Sequence, residues 1–212
     1  TDYPSRCADA LLSGAADMAL LPVGQLKDLK TYTICCPYGI AANKRVDSVK
    51  VYSRVPLQHI ECLLLDYQSK TSVALVQLLC SKYWHITPQF KSTSAGFEQL
   101  IKNSTAALVI GDRTFSMNGN YPYEYDLAEH WFNFTGMPFV FAVWVSLKPL
   151  HANFLKTFEA CMHSGIMHID DAIRSKPTSE YAFLTTYLKH RIDYHIDASK
   201  QNALQHFLSL IS

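Results

Sequence analysis

Apolar positions recur along the chain in short runs whose period switches between two and about three and a half. "PSRCADALLSGAAD" puts Ala8, Leu11 and Leu12 at helical spacing and stops at Gly14, and "MALLPV" after it reads as a buried strand. "TYTICCPYGIAA" and "SVKVYSRV" are β-rich runs parted by the turn-like "NKRVD". Beyond Pro56 a short helix leads into the strand "CLLLDY", and a helix follows from Thr71 to about Trp84. "ITPQF" predicts a short strand, "SAGFEQLIKNS" a helix and "AALVIGD" a second buried strand. "YDLAEHWFNFTG" is helical and ends at Gly136, "MPFVFAVWVSL" is a long strand, and everything after Pro149 predicts helix.

Strands alternating with helices in this way predict an α/β fold with mixed, mostly parallel sheets. Two β segments, 46–53 and 138–147, bracket a central block that has strand–helix units of its own. That layout is a two-lobed clamshell, with 1–54 and 136–212 in one lobe and 55–135 in the other. Ligands of such folds bind between the lobes, at the carboxyl ends of strands.

Two strand ends carry the polar chemistry. In "DYQSKTSVALVQLLC" an apolar strand stops at Asp66 and a helix starts at once, with Ser69, Thr71 and Ser72 crowded onto its first turn. One such hydroxyl is an ordinary helix cap. Three of them beside unpaired amides and the positive end of the helix dipole also make a site for a carboxylate or phosphate. In "VIGDRTF", Gly111 and Asp112 end the next buried strand, where Asp112 is open to three roles: helix cap, lobe-locking acceptor or catalytic base. Asp126 and Glu129, three apart in "YDLAEHW", read as a capping box.

Composition narrows the classes. Of 212 residues, 49% are apolar and 17% charged, which is a packed chain rather than a disordered one. Net charge is +1 without a basic stripe, so nucleic acid is disfavoured as a partner, and the apolar runs are too short to cross a bilayer. Cys7, Cys35, Cys36, Cys62, Cys80 and Cys161 lie in apolar patterns without C-x-x-C pairing, as reduced core cysteines of a cytoplasmic protein do. The nine histidines show no metal-ligand spacing, and no metal is expected. G-x-S-x-G, a P-loop and a dinucleotide fingerprint are missing, which disfavours kinase and redox chemistry.

"DYQSKTSVAL", "AALVIGD", "YDLAEHW" and "TGMPFVFAVW", in this order, resemble the menaquinone-biosynthesis family that includes chorismate dehydratase of the futalosine route. "PSRCADALLSGAADMALLPV" and "GIAANKRVDSVKVYSRVP" fit its earlier segments, so the resemblance covers essentially the whole chain. It implies a fold similar to type 2 periplasmic binding proteins, with chorismate as the small-molecule substrate and no cofactor. Chorismate would lose water to give 3-[(1-carboxyvinyl)oxy]benzoate. Ser69, Thr71 and Ser72 match the family's Ser/Thr corner and would hold a carboxylate, with Gly111 and Asp112 lining the same site. Ser72 and Asp112 are the residues expected to act in the chemistry. The proton is expected to leave to the substrate's own enolpyruvyl carboxylate. Neither nucleic acid nor membrane is an implied partner, and a monomer or homodimer in the cytoplasm is expected. Family members begin with a strand of Ser-Tyr-Leu-Asn type whose Asn would line the site, and the sequence starts downstream of it. The alternatives are an enzyme resembling 1,4-dihydroxy-6-naphthoate synthase and a non-catalytic binding protein for a small carboxylate.

Overall fold

The computed structural model describes residues 4–211, and residues 1–3 of the expected first lobe lie outside them. Helix α1 (Pro4–Leu12) buries Ala8 and Leu11 beside strand β1 (Ala19–Pro22). Leu12, expected inward, is 62% exposed, because one further residue turns the side chain about 100° away from that face. Gly14 ends the segment at φ +75, as its position predicts. The chain then runs through β2 (Thr33–Ala42), β3 (Val49–Ser53), β4 (Cys62–Leu65), α2 (Lys70–Leu79), β5 (Gln89–Ser92), β6 (Thr105–Ile110) and α3 (Arg113–Met117). It continues with β7 (Tyr123–Asp126), α4 (Leu127–Thr135), β8 (Phe139–Ser146), α5 (Ala152–Met167), α6 (Ile169–Arg174), α7 (Tyr181–Thr186), β9 (Asp193–His195) and α8 (Ala198–Ile211).

Two sheets result. The first has the order β1-β8-β2-β9 and is antiparallel throughout. The second has the order β5-β4-β6-β3-β7, in which β4 is parallel to β5 and β6 while β3 is antiparallel to β6 and β7. The α/β class with mixed sheets stands, but "mostly parallel" is corrected. Strand β8 returns from the second sheet and inserts between β1 and β2 against their direction, and β3 enters the second sheet the same way. The boundary at residue 54 is corrected too, since β3 pairs with β6 and β7 and so belongs to the second sheet.

Three local expectations also change. The helix expected at "SAGFEQLIKNS" is only a 3-10 turn at Phe97–Leu100, where Gly96 at φ +84 leaves one turn to form. Strands β7 and β9 interrupt stretches that read as helix or coil, because each is short and bonded to a neighbour far away in sequence. The helix from Thr71 holds α-geometry to Leu79 and finishes in a single π turn over Cys80–Trp84.

Burial in the second sheet follows the pleat. Leu63, Leu65, Val51, Ala106 and Leu108 join one core, while Leu64, Tyr52, Ala107 and Val109 face a smaller cluster with Phe97 and Met117. The main core is shared by both sheets: Leu75 and Val76 of α2 and Trp131 of α4 belong to the same cluster as Val23, Phe139, Phe141 and Phe207. The two lobes are therefore joined through apolar packing as well as by residues 43–48, the crossing segment between β2 and β3, and by residues 136–138 before β8.

Candidate active site

Helix α2 begins where the two lobes meet. Ser69 has extended backbone and caps it, its Oγ accepting the Ser72 N–H at 3.2 Å and sharing a 3.1 Å hydrogen bond with Ser72 Oγ. Thr71 points the other way, into the seam with the first sheet. Its Oγ1 accepts the Gly24 N–H at 2.9 Å and donates to the Phe141 carbonyl at 3.4 Å. The seam is tight enough that a Cβ on Gly24 would stand 2.8 Å from Thr71 Cα. Thr71 and Ser72 are each 1% exposed. The expectation that all three hydroxyls face a ligand is thus corrected: Thr71 is committed to protein, and Ser72 reaches outward only through Ser69.

Ser69 itself lines an open crevice of about 260 Å³ between the 3-10 turn Val23–Asp28 and α2. Gly24, Lys27 and Asp28 form the wall from the first lobe; Asp66, Tyr67, Ser69 and Lys70 face them from the second. Lys70 pairs loosely with Asp28 across the gap at 3.8 Å. Lys27 and Lys70 are balanced by Asp28 and Asp66 on the same walls, so what distinguishes this crevice is the capped helix start and the linked hydroxyls of Ser69 and Ser72.

Asp66 ties the two predicted corners together, a role that the sequence reading did not assign. Its Oδ1 accepts the Gln68 N–H at 2.9 Å; Oδ2 accepts the Ile110 N–H at 3.0 Å and an Arg113 Nη2 proton at 2.5 Å. Arg113 also bonds Gln68 Oε1 at 3.1 Å and Glu98 at 2.5 Å, and its guanidinium carbon stands 5.5 Å from the ring centroids of both Tyr67 and Phe97. Burial pushes the Asp66 carboxyl up, and the amides and Arg113 pull against it. A buried Asp at the end of a parallel strand was the available signal.

Gly111 takes φ +71 and donates its N–H to the Ser48 carbonyl at 2.8 Å, fixing the second corner to the crossing segment. Asp112 follows it at the start of α3, exposed, with no cap hydrogen bond from its side chain. Neither Gly111 nor Asp112, both expected at the site, lines the Ser69 crevice; only the flanking Ile110 and Arg113 reach it, through Asp66. Asp112 does not take the cap role left open for it, whereas Asp126, read as a cap, does cap α4: its carboxylate accepts the N–H groups of Ala128 and Glu129. The same carboxylate accepts those of Val46 and Asp47, so it also holds the crossing segment; burial pushes it up to about 6 against these four donors.

A family model described as menaquinone biosynthesis matches residues 1–212. The chain belongs to the menaquinone biosynthesis family. Among curated relatives, chorismate dehydratase of Thermus thermophilus is 30% identical over 159 residues, a match covering 66% of this chain and 58% of that protein. The match thus spans less than two thirds of that relative. Protein AF1704 from Archaeoglobus fulgidus aligns with TM-score 0.64 at 13% identity, covering 99% of this chain and 83% of that one. The Candida albicans CA3427 product, described as having the generic periplasmic binding protein fold, aligns with TM-score 0.60 at 10% identity (99% and 80% covered). The periplasmic aliphatic sulphonate binding protein SsuA of Escherichia coli aligns with TM-score 0.52 at 13% identity (98% and 79%). At these identities the likeness concerns the fold, and it agrees with the periplasmic-binding-protein type that the family resemblance implies.

In this menaquinone biosynthesis protein a larger cavity lies elsewhere. A groove of about 920 Å³ runs between α5, the segment 188–195 and the crossing segment, past Tyr38, Lys44, His163 and His195. Its charges are largely paired: Lys189 with Asp170, Arg45 and Arg191 with Asp47, Asp193 with Lys200. The crevice at Ser69, though smaller, has the helix start and the strand ends that favour ligands in α/β folds. Among the described residues no helix is long and apolar enough to cross a membrane. All six cysteines are free; Cys36 and Cys80 are buried, whereas Cys161 is exposed and so is not the core residue expected.

Proposed function

We propose that this chain is the catalytic body of a chorismate dehydratase, with the substrate seated in the crevice between the turn Val23–Asp28 and the start of α2. The observation that carries this reading is the crevice itself, where Ser69, backed by Ser72, caps the start of α2 in a chain whose net charge is only +1. Chorismate bears two carboxylates, so it calls for local donors rather than a basic surface. Family membership supports the pathway, and the 30% identical relative supports the reaction.

In this reading Ser69 Oγ and the helix start hold the ring carboxylate. Elimination removes the proton from the ring carbon bearing the enolpyruvyl ether and hydroxide from the neighbouring carbon. Water and the aromatic ether are the products, and no electrons are gained or lost. The negative charge that develops is conjugated into the ring carboxylate, so donors at that carboxylate stabilise the transition state more than the ground state. The enolpyruvyl carboxylate, held in reach of the ring proton, serves as the base. The reaction takes place in the cytoplasm, in keeping with six unpaired cysteines. Incubating the full-length protein with chorismate and following ultraviolet absorbance for an aromatic product tests the proposal. Product formation that falls in Ser69→Ala and Ser72→Ala supports it. Chorismate retained without conversion would instead indicate a carboxylate-binding protein.

A further inference from the structure

Tyr67 is exposed and yet held in place. It is 43% exposed and lines the crevice together with Ser69. Its hydroxyl accepts an N–H of the Gln68 amide at 3.0 Å, and Phe97 meets its ring edge to face at a centroid distance of 6.4 Å. The Arg113 guanidinium stands 5.5 Å from the ring centroid and is itself fixed by Asp66 and Glu98. A ring pinned in this way and left open to a cavity is preorganised contact area, because little side-chain freedom remains to be lost on binding. Val73 and Ala74, a turn along α2 from Ser69, add apolar lining to the same crevice. A capped helix start beside an aromatic ring and two aliphatic side chains suits a ring that bears a carboxylate.

We infer that Tyr67 is a specificity-determining residue whose ring packs against the ring of the bound acid and favours flat, unsaturated rings over saturated ones. The inference rests on the crevice reading above and deepens it. A flat ring lies against an aromatic face over its whole area, whereas a puckered saturated ring touches it through a few atoms. Aliphatic walls such as Val73 and Ala74 do not draw that distinction, so it falls to Tyr67. Chorismate has two ring double bonds and becomes fully aromatic on losing water, so one face serves substrate and product.

The test compares binding of benzoate and cyclohexanecarboxylate, which share a carboxylate and a six-carbon ring, by ligand-observed NMR titration of the full-length protein and of Tyr67→Phe, Tyr67→Leu and Ser69→Ala. The parent and Tyr67→Phe are expected to prefer benzoate by about 2- to 10-fold, and Tyr67→Leu to bind the two acids about equally. Ser69→Ala should weaken both acids alike and keep the preference. A purely structural role for Tyr67 would instead weaken both acids together in Tyr67→Leu and leave their ratio as in the parent, and that result overturns the inference alone. Affinities untouched by Ser69→Ala, or a parent that binds neither acid, would remove the crevice reading and this inference together.

Discussion

Thr71→Val isolates the hydroxyl that closes the seam. Valine keeps the branched shape, so packing in a site only 1% exposed is preserved. What is lost is the acceptor of the Gly24 N–H at 2.9 Å and the weaker donor to Phe141 at 3.4 Å. Gly24 has little room to shift toward another partner, because there is not even space for a Cβ between it and the Thr71 backbone. An unpaired buried N–H costs about 1–3 kcal/mol, and the long Phe141 bond adds little, so a loss of roughly 2 kcal/mol is expected. For a chain of this size that is a fall in Tm of roughly 4–8 °C. Thr71→Ser keeps the oxygen and gives up one methyl, about 1 kcal/mol. Urea unfolding followed by tryptophan fluorescence should rank the proteins parent, Ser, Val, with m unchanged. A valine variant as stable as the parent, with the serine variant the weaker of the two, would show that the methyl rather than the hydroxyl holds the seam.

Gly24→Ala drives a Cβ to within 2.8 Å of backbone, not of a flexible side chain, so the lobes must part. A loss of about 1–3 kcal/mol is expected, and a neutral result in thermal unfolding would mean the seam is looser than described. Asp126→Asn keeps one acceptor oxygen but turns an NH2 toward amide donors at the crossing segment. It should cost about 1.5–3 kcal/mol in urea. His130 is half-buried, its Nδ1 accepts the Trp84 Nε1–H at 3.0 Å, and burial lowers its pKa from 6.5. Its neutral form is favoured by folding, so its contribution is fully present above pH 6.5 and lost as pH falls through the lowered value. His130→Gln, which retains an acceptor, should therefore flatten the decline in urea midpoint between pH 7.5 and 5; parallel curves for the two proteins would refute that assignment.

Much of this architecture was legible because the core follows simple periods. The pleat of "VKVYS" and "AALVI" sends alternate residues to two cores, and Gly14 and Gly136 stop helices with positive φ as predicted. Strand direction was not legible, since an apolar run such as Phe139–Ser146 looks the same whether its neighbours are parallel or antiparallel. The short strands β7 and β9 depend on partners distant in sequence and leave little local trace. At the site, the sequence located both polar corners but could not apportion their side chains. Ser69, Thr71 and Ser72 lie on one helical turn, and the 100° step between neighbours decides which faces a crevice and which a seam. Asp112 and Arg113 show the same limit, one carboxylate exposed and the adjacent guanidinium drawn in to Asp66.

The most direct measurement of the central claim is a crystal structure of the full-length protein grown with chorismate. The account predicts a carboxylate within hydrogen-bond distance of Ser69 Oγ, between the turn Val23–Asp28 and the start of α2. Ligand bound instead in the groove past Lys44 and His163, with Ser69 making only its bonds to Ser72, would contradict it.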